Sequence, residues 1–423
     1  MSRQGSAGEP ATNRPPTTAD VSPPDAVPEG VEARKGGFRL PTENLRAYTM
    51  LFALVVIWLF FQWKTVSDIY PYGLFLHPKN FSNLLQQMSV TGVLAVGMLM
   101  VIVAGQIDLS VGSVVGLAGG VAAMTQTFEL GVGPTLLAAV VVAAVIGIAQ
   151  GALVAYANIP AFIVTLGGLL AWRGVILGLS KGATIPVRLP VFRALGVDKV
   201  APVVGYVLAG LAVAAVAWLS LSRIRARRRH GLSAPGVAQT ALGVVLPSLV
   251  IAAFIVLMNW TDPASGLQGG VPVPVLVLLA VAALGAFLTM NTTFGRYLYA
   301  IGGNPDAARL SGINIRRYLL AAYCVLGLLV GVASLLHTAR VGSASPDAGT
   351  YMELDAIAAC VIGGTSLMGG RGTVSGAVVG ALIMASLDNG MSLLNVENYT
   401  QYIVKGAVLV AAVGFDMLGR RRG

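Results

Sequence analysis

The sequence predicts an all-α polytopic membrane protein, a bundle of about ten to twelve transmembrane helices with broken or re-entrant segments. Three observations point there. Of 423 residues, 56% are hydrophobic and 11% charged, with a mean hydropathy of +0.77, whereas soluble proteins carry roughly 25% charged residues. Apolar runs recur along the chain at about the 20 residues a membrane helix needs. Small residues sit three or four apart in "GSVVGLAGG" (112–120), "GGLLAWRGVILG" (167–178) and "GAVVGA" (376–381). In a membrane, helices associate by close van der Waals approach, so such spacing marks dense helix contacts.

Taken in order, residues 1–40 are rich in Pro, Gly, Ser, Thr and Ala without apolar periodicity and read as a disordered cytoplasmic tail. The first apolar run begins only near Tyr48, so a cleaved secretory signal is not expected. Residues 41–423 read as one transmembrane domain with twelve candidate segments near 48–63, 84–104, 110–127, 135–157, 161–180, 203–221, 237–258, 271–291, 318–337, 354–368, 374–393 and 401–418. The tenth is short enough to be broken or re-entrant. Arg34, Lys35, Arg39 and Arg46 precede the first segment, which places the amino terminus in the cytoplasm by the positive-inside rule. An even count puts "SRIRARRRHG", the loop carrying Arg296 and Arg309, Arg316 with Arg317, and the terminal "RRR" on the same side. The loop 181–202 falls outside in this count despite its Lys and Arg residues, and its prolines suggest some structure there.

The net charge of +10 does not indicate nucleic-acid binding, because the basic residues fall in the polar segments between apolar runs. Nowhere does the sequence carry a G-x-x-x-x-G-K-[ST] phosphate loop, and His77, His230 and His337 lack zinc-hydrolase spacing. No metal site or catalytic residue is expected, and the chain is read as non-catalytic. Cys324 and Cys360 lie in apolar runs and read as small buried hydrophobes.

Ionisable residues inside apolar runs cost at least about 2.5 kcal/mol at the bilayer centre and mark a role or a partner. Asp108, Arg173, Asp355, Asp388 and Lys405 qualify. Arg173 is placed to snorkel outward. Asp108 sits in "GQIDLSVGS" (105–113), where glycines and serines favour a break between the second and third segments. Two roles stay open for it: lining a polar path at membrane depth, or capping the third helix. The loop of about 292–317 holds "GGNPDAARLSG", in which Asn304 caps, Pro305 opens, Asp306 favours the dipole and Gly312 ends a helix of about two turns. Isolated helices this short are marginal, so it needs a partner surface.

"GQIDLSVGS", "IPAFIVTLGGLLAWRG" (159–174), "YAIGGNPDAARLSGIN" (299–314), "ELDAIAACVIGGTSLMGG" (353–370) and "MASLDNGMSLLNV" (384–396) together resemble the permease subunits of bacterial ABC importers for monosaccharides, in the ribose, galactose and xylose branch. The xylose type fits best, on the extra helix pair at about 185–260. The resemblance covers about 48–418 and implies a multi-pass protein of the bacterial cytoplasmic (inner) membrane, working as a homodimer of permease copies. It also implies a cytoplasmic ATP-binding subunit, which uses ATP and Mg, and an extracytoplasmic sugar-binding protein; the chain itself is expected to bind no cofactor. Gly303, Asn304, Asp306, Arg309 and Gly312 match the family's coupling segment to the ATPase. Sugar would cross by alternating access, with Asp108, Ser110, Ser113, Phe162, Thr165, Asp388 and Asn389 as candidate pathway residues. Ribose, galactose or another small polar solute is the close alternative, and an ion-coupled secondary transporter or a passive channel the distant ones.

Overall fold

A computed structural model describes residues 45–68, 70–229, 236–261 and 269–420. The tail read over residues 1–40 lies outside them. Helices form in the order α1 (Leu45–Lys64), α2 (Pro78–Val103), α3 (Val111–Thr127), α4 (Val132–Ala155), α5 (Ala161–Ser180), α6 (Pro190–Val197), α7 (Pro202–Arg229), α8 (Val237–Met258), α9 (Val273–Asn291), α10 (Thr293–Gly303), α11 (Pro305–Leu310), α12 (Ile315–Val341), α13 (Met352–Ile362), α14 (Val374–Leu393) and α15 (Asn398–Arg420). The strands among the described residues are β1 (Ile185–Pro186) and β2 (Ser343–Ala344), which pair antiparallel.

Each of the twelve predicted segments holds a helix. Among the described residues eight helices, α2, α4, α5, α7, α8, α9, α12 and α14, are long and apolar enough to cross a membrane. Helix α13 has 11 residues, about 16 Å at the α-helical rise, against a hydrocarbon core of roughly 30 Å. It ends at Gly363 and Gly364, the latter with φ +87°, and the chain turns back through Gly369 and Gly370 before α14. The loop between segments five and six is structured, as its prolines suggested: Pro190 opens α6, and Val187 N donates to Gly342 O beside the β1–β2 pair.

Helix α2 is the centre of the bundle. From Val93 to Val103 its apolar side chains are essentially inaccessible, because α9, α12, α13 and α14 all pack on it. The tightest pair is α4 against α12. A Cβ on Gly147 would sit 2.5 Å from Tyr323 O, and one on Gly327 2.7 Å from Ala143 O, so the two backbones touch where no side chain intervenes. On α3, Gly112, Gly116, Gly119 and Gly120 face four different neighbours, and Gly376 and Gly380 of α14 abut the carbonyls of Gly363 and Ala359. The expectation for 167–178 is corrected. Gly168 contacts the Gln150 side chain, but Gly167, Gly174 and Gly178 face open space, because α5 lies at the edge of the bundle with only one side packed.

Candidate functional site

The break around Asp108 is real and built by its backbone. Helix α2 ends at Val103, Gly105 takes φ +77°, and Gly105 N and Gln106 N close the turn onto Ile102 O and Val101 O. Asp108 Oδ1 accepts from Ser110 N and Ser110 Oγ, each at 2.7 Å. Ser110 is the residue that precedes α3, and its own side chain makes no cap. The capping reading is therefore corrected: the carboxylate fixes the residue before the helix and bonds none of the N–H groups inside it. Ser113 Oγ donates to Ser110 O at 2.7 Å. Thr165 of α5 is buried and lies 3.4 Å from Ile107 O, while its main bond is to Ala161 O at 2.9 Å.

Sequence reasoning missed Gln150, a lone amide in the apolar α4 run and only 4% exposed. Its amide lies 3.0 Å from Ser110 Oγ. Ser110 has one hydroxyl proton, and Asp108 Oδ1 and Gln150 Oε1 both lie within its reach. Ser110 thus links α4 to the break, standing between Gln150 and Asp108. Asp108, Ser110, Ser113 and Thr165 thus come together, with Gln150 added.

The other pathway candidates lie elsewhere. Phe162 is 57% exposed on the open side of α5 and does not reach this cluster. Asn389 of α14 exchanges amide hydrogen bonds with Asn80 of α2 at 2.8 and 3.1 Å, both side chains buried. That clasp binds two helices and leaves little of Asn389 to face a path. Asp388, next in sequence, points the other way, because neighbouring residues on a helix are about 100° apart. Its carboxylate meets Lys405 Nζ at 2.9 Å, and Asp355 meets the same nitrogen at 3.0 Å. Three of the predicted intramembrane charges therefore form one ion cluster joining α13, α14 and α15. Arg173 does not snorkel outward. Its Nη1 donates to Pro346 O at 2.6 Å and Ala348 O at 2.8 Å, and so pins the loop before α13 to α5.

The expected coupling segment has the predicted caps. Asn304 Oδ1 accepts from Ala307 N at 3.0 Å, Asp306 lies in the first turn, Arg309 in the last, and Gly312 takes φ +81° with its N–H on Arg309 O. The helix proper is shorter than expected, Pro305–Leu310, and is preceded by a second one, α10, capped by Thr292. Ala308 faces inward, while Asp306, Arg309 and Leu310 face out, Leu310 at 90% exposure. A cleft of about 490 Å³ adjoins it, bounded by the end of α4 and the start of α12 and carrying Asn158, Arg309 and Arg316.

These two regions touch. Gly302, just before the Gly303–Asn304 junction, abuts Val103 O at the end of α2, and a Cβ there would also lie 2.7 Å from Gly370 N. Gly370 N donates to that same Val103 O at 2.9 Å. Gly369 packs on Gly302 and Gly105. The exposed helix, the α2–α3 break and the turn after α13 thus share one backbone junction.

A family profile described as a branched-chain amino acid transport system / permease component matches residues 80–413. The chain is 44% identical over 393 residues to the xylose transport system permease protein of Escherichia coli (strain K12), covering 92% of this chain and 96% of that protein. It is equally 44% identical over 389 residues to the xylose transport system permease protein of Haemophilus influenzae (strain ATCC 51907), covering 91% and 100%. The ribose import permease protein of Escherichia coli (strain K12) is 36% identical over 337 residues, covering 80% and 85%. No solved structure matches. With four fifths of its length inside the profile and a helical bundle of membrane-crossing length, the chain belongs to this family of membrane transport permease components.

Proposed function

We propose that this chain is the membrane-spanning, non-catalytic subunit of an ATP-driven importer, and that it moves a monosaccharide, D-xylose, across the bacterial cytoplasmic membrane by alternating access. The observation that carries the mechanism is the exposed, doubly capped helix α11, whose base is packed through Gly302 against the α2–α3 break. A push on Asp306, Arg309 and Leu310 has a rigid backbone route to the segment holding Asp108. The names of the relatives at 44% identity support xylose as cargo, and the ribose permease at 36% supports ribose as the second reading. In this reading two copies of the chain pair, both termini are cytoplasmic, and a soluble sugar-binding protein delivers substrate from outside. A separate ATPase binds ATP and Mg and docks on α11 and the cleft beside it.

Reconstitution tests this directly. Vesicles holding the chain with its ATPase and binding protein should take up labelled xylose only with ATP inside the ATPase compartment. Uptake driven by a proton or sodium gradient alone would overturn the reading in favour of a secondary transporter, and uptake of ribose in preference would reassign the cargo. Replacing Asp306 and Arg309 together with Ala should reduce uptake and sugar-stimulated ATP hydrolysis at least tenfold while the chain remains folded. An unchanged rate would remove α11 from the coupling.

Asp108→Asn separates position from charge. The amide keeps Oδ1 as an acceptor for both Ser110 bonds, so folded yield should stay near wild type, while Asp108→Ala should lose about 1–3 kcal/mol by stranding the buried Ser110 N–H. A loss of uptake in the folded Asn variant assigns Asp108 to the sugar path. Normal uptake would leave it a purely structural residue.

A further inference from the structure

The α3–α4–α12 contact leaves a small chamber of about 10 Å³, lined by Asp108, Ser110, Gly147, Gln150, Tyr323 and Gly327 among others. Tyr323 is wholly buried, and its hydroxyl has no hydrogen-bond partner. Leaving a buried hydroxyl unmade costs about 1–3 kcal/mol. Asp108 is also buried, and both of its protein hydrogen bonds fall on Oδ1, so Oδ2 accepts from no described protein group. Two polar groups from different elements therefore line one small space with unmet hydrogen-bonding capacity, and no direct hydrogen bond joins them.

The chamber volume corresponds to the ~10–15 Å³ that a single water requires. We propose that it holds one ordered water, which donates to Asp108 Oδ2 and bonds the Tyr323 hydroxyl, so that the α2–α3 break is tied to α12 through solvent. Tyr323 contributes the backbone carbonyl against which Gly147 packs. The water thus sits where the tightest helix pair meets the unwound segment, and bonds two side-chain groups that face it, a carboxylate oxygen and a phenol hydroxyl. The inference does not depend on which solute is carried.

The sign of one substitution decides the matter. If the water is present, Tyr323→Phe removes one of its partners, and the full chain in lipid nanodiscs should melt about 1–3 °C lower, the small-domain shift reduced for a chain of this length. If the chamber is dry, the same change deletes an orphaned hydroxyl, and melting should be unchanged or raised, which would overturn the proposal. X-ray hydroxyl-radical footprinting of the wild-type chain in ¹⁸O-water gives a second reading that needs no variant. Tyr323, although inaccessible from outside, should be labelled within the pulse, and absence of label would count against a bound water. Melting in sodium chloride and in choline chloride should agree; a rise of several degrees specific to sodium would assign a cation and overturn the water.

Discussion

Lys405→Met should leave almost no monodisperse protein in detergent extracts, the largest single-residue loss expected in this chain. The ammonium is shared by Asp355 at 3.0 Å and Asp388 at 2.9 Å, with side-chain exposures of 19% for the lysine, 12% for Asp355 and 30% for Asp388. Removing the cation strands two carboxylates on helices that pack in an apolar bundle, where breaking a buried pair costs about 3–5 kcal/mol. The partial exposure of Asp388 argues for the lower end. Helix α13 amplifies the loss. It is too short to span and is held in place by α14, α2 and α15, so the cluster fastens an element with no membrane anchor of its own. The apolar triple variant Asp355→Leu, Asp388→Leu, Lys405→Met should recover most of the folded yield, because replacing a whole buried ion cluster with packed hydrophobes is often neutral or stabilising. Size-exclusion profiles and melting temperatures of the two variants check this. If Lys405→Met behaves like wild type, the cluster has no structural weight. If the triple variant folds but does not transport, Asp388 regains a place in the pathway on functional grounds.

Gly302→Val should abolish sugar-stimulated ATP hydrolysis and uptake together. Any Cβ at this position meets the Val103 carbonyl and lies 2.7 Å from Gly370 N, both backbone atoms that cannot swing aside. The intruding side chain would also break the Gly370 to Val103 hydrogen bond, 2.9 Å in the native junction. Overpacking of this kind costs about 1–3 kcal/mol, and the branched Val adds strain beyond the first methyl. Most of the bundle does not rest on this junction, so the chain should still assemble, with α10 and α11 displaced from the end of α2. Gly303→Ala is the matched control, since a Cβ there meets nothing within 4 Å, and it should be near neutral. Equal behaviour of the two variants in the coupled assay would rule out the glycine junction as the mechanical link.

The contrast between Gly302 and Gly303 shows where sequence reasoning stops. Both glycines stand in "AIGGNPDAARLSG", and nothing in that string tells them apart. The caps of α11 were legible there, because capping is local chemistry: an Asn side chain reaches an N–H three residues on, whatever surrounds it. That Gly302 is wedged against α2, some two hundred residues earlier, is a property of packing alone. Gln150 was overlooked for a similar reason. A single amide in an apolar run gives no sign of whether it faces lipid, a partner helix or Asp108.

The sequence by itself determined that this is a helical membrane protein, where its apolar segments lie, that the chain breaks between the second and third segments, and which short helix is capped. Each of these follows from hydrophobicity, backbone freedom or contacts a few residues apart. Tertiary structure alone decided how the charges are spent. It joined Asp388 to Lys405 and Asp355, Asn389 to Asn80, and Arg173 to the loop before α13, and left Phe162 on the open side of α5. An unpaired charge in an apolar run announces that a partner must exist. Which partner it is depends on helix rotation and neighbour, and one residue along a helix, as between Asp388 and Asn389, turns a side chain toward a different interface.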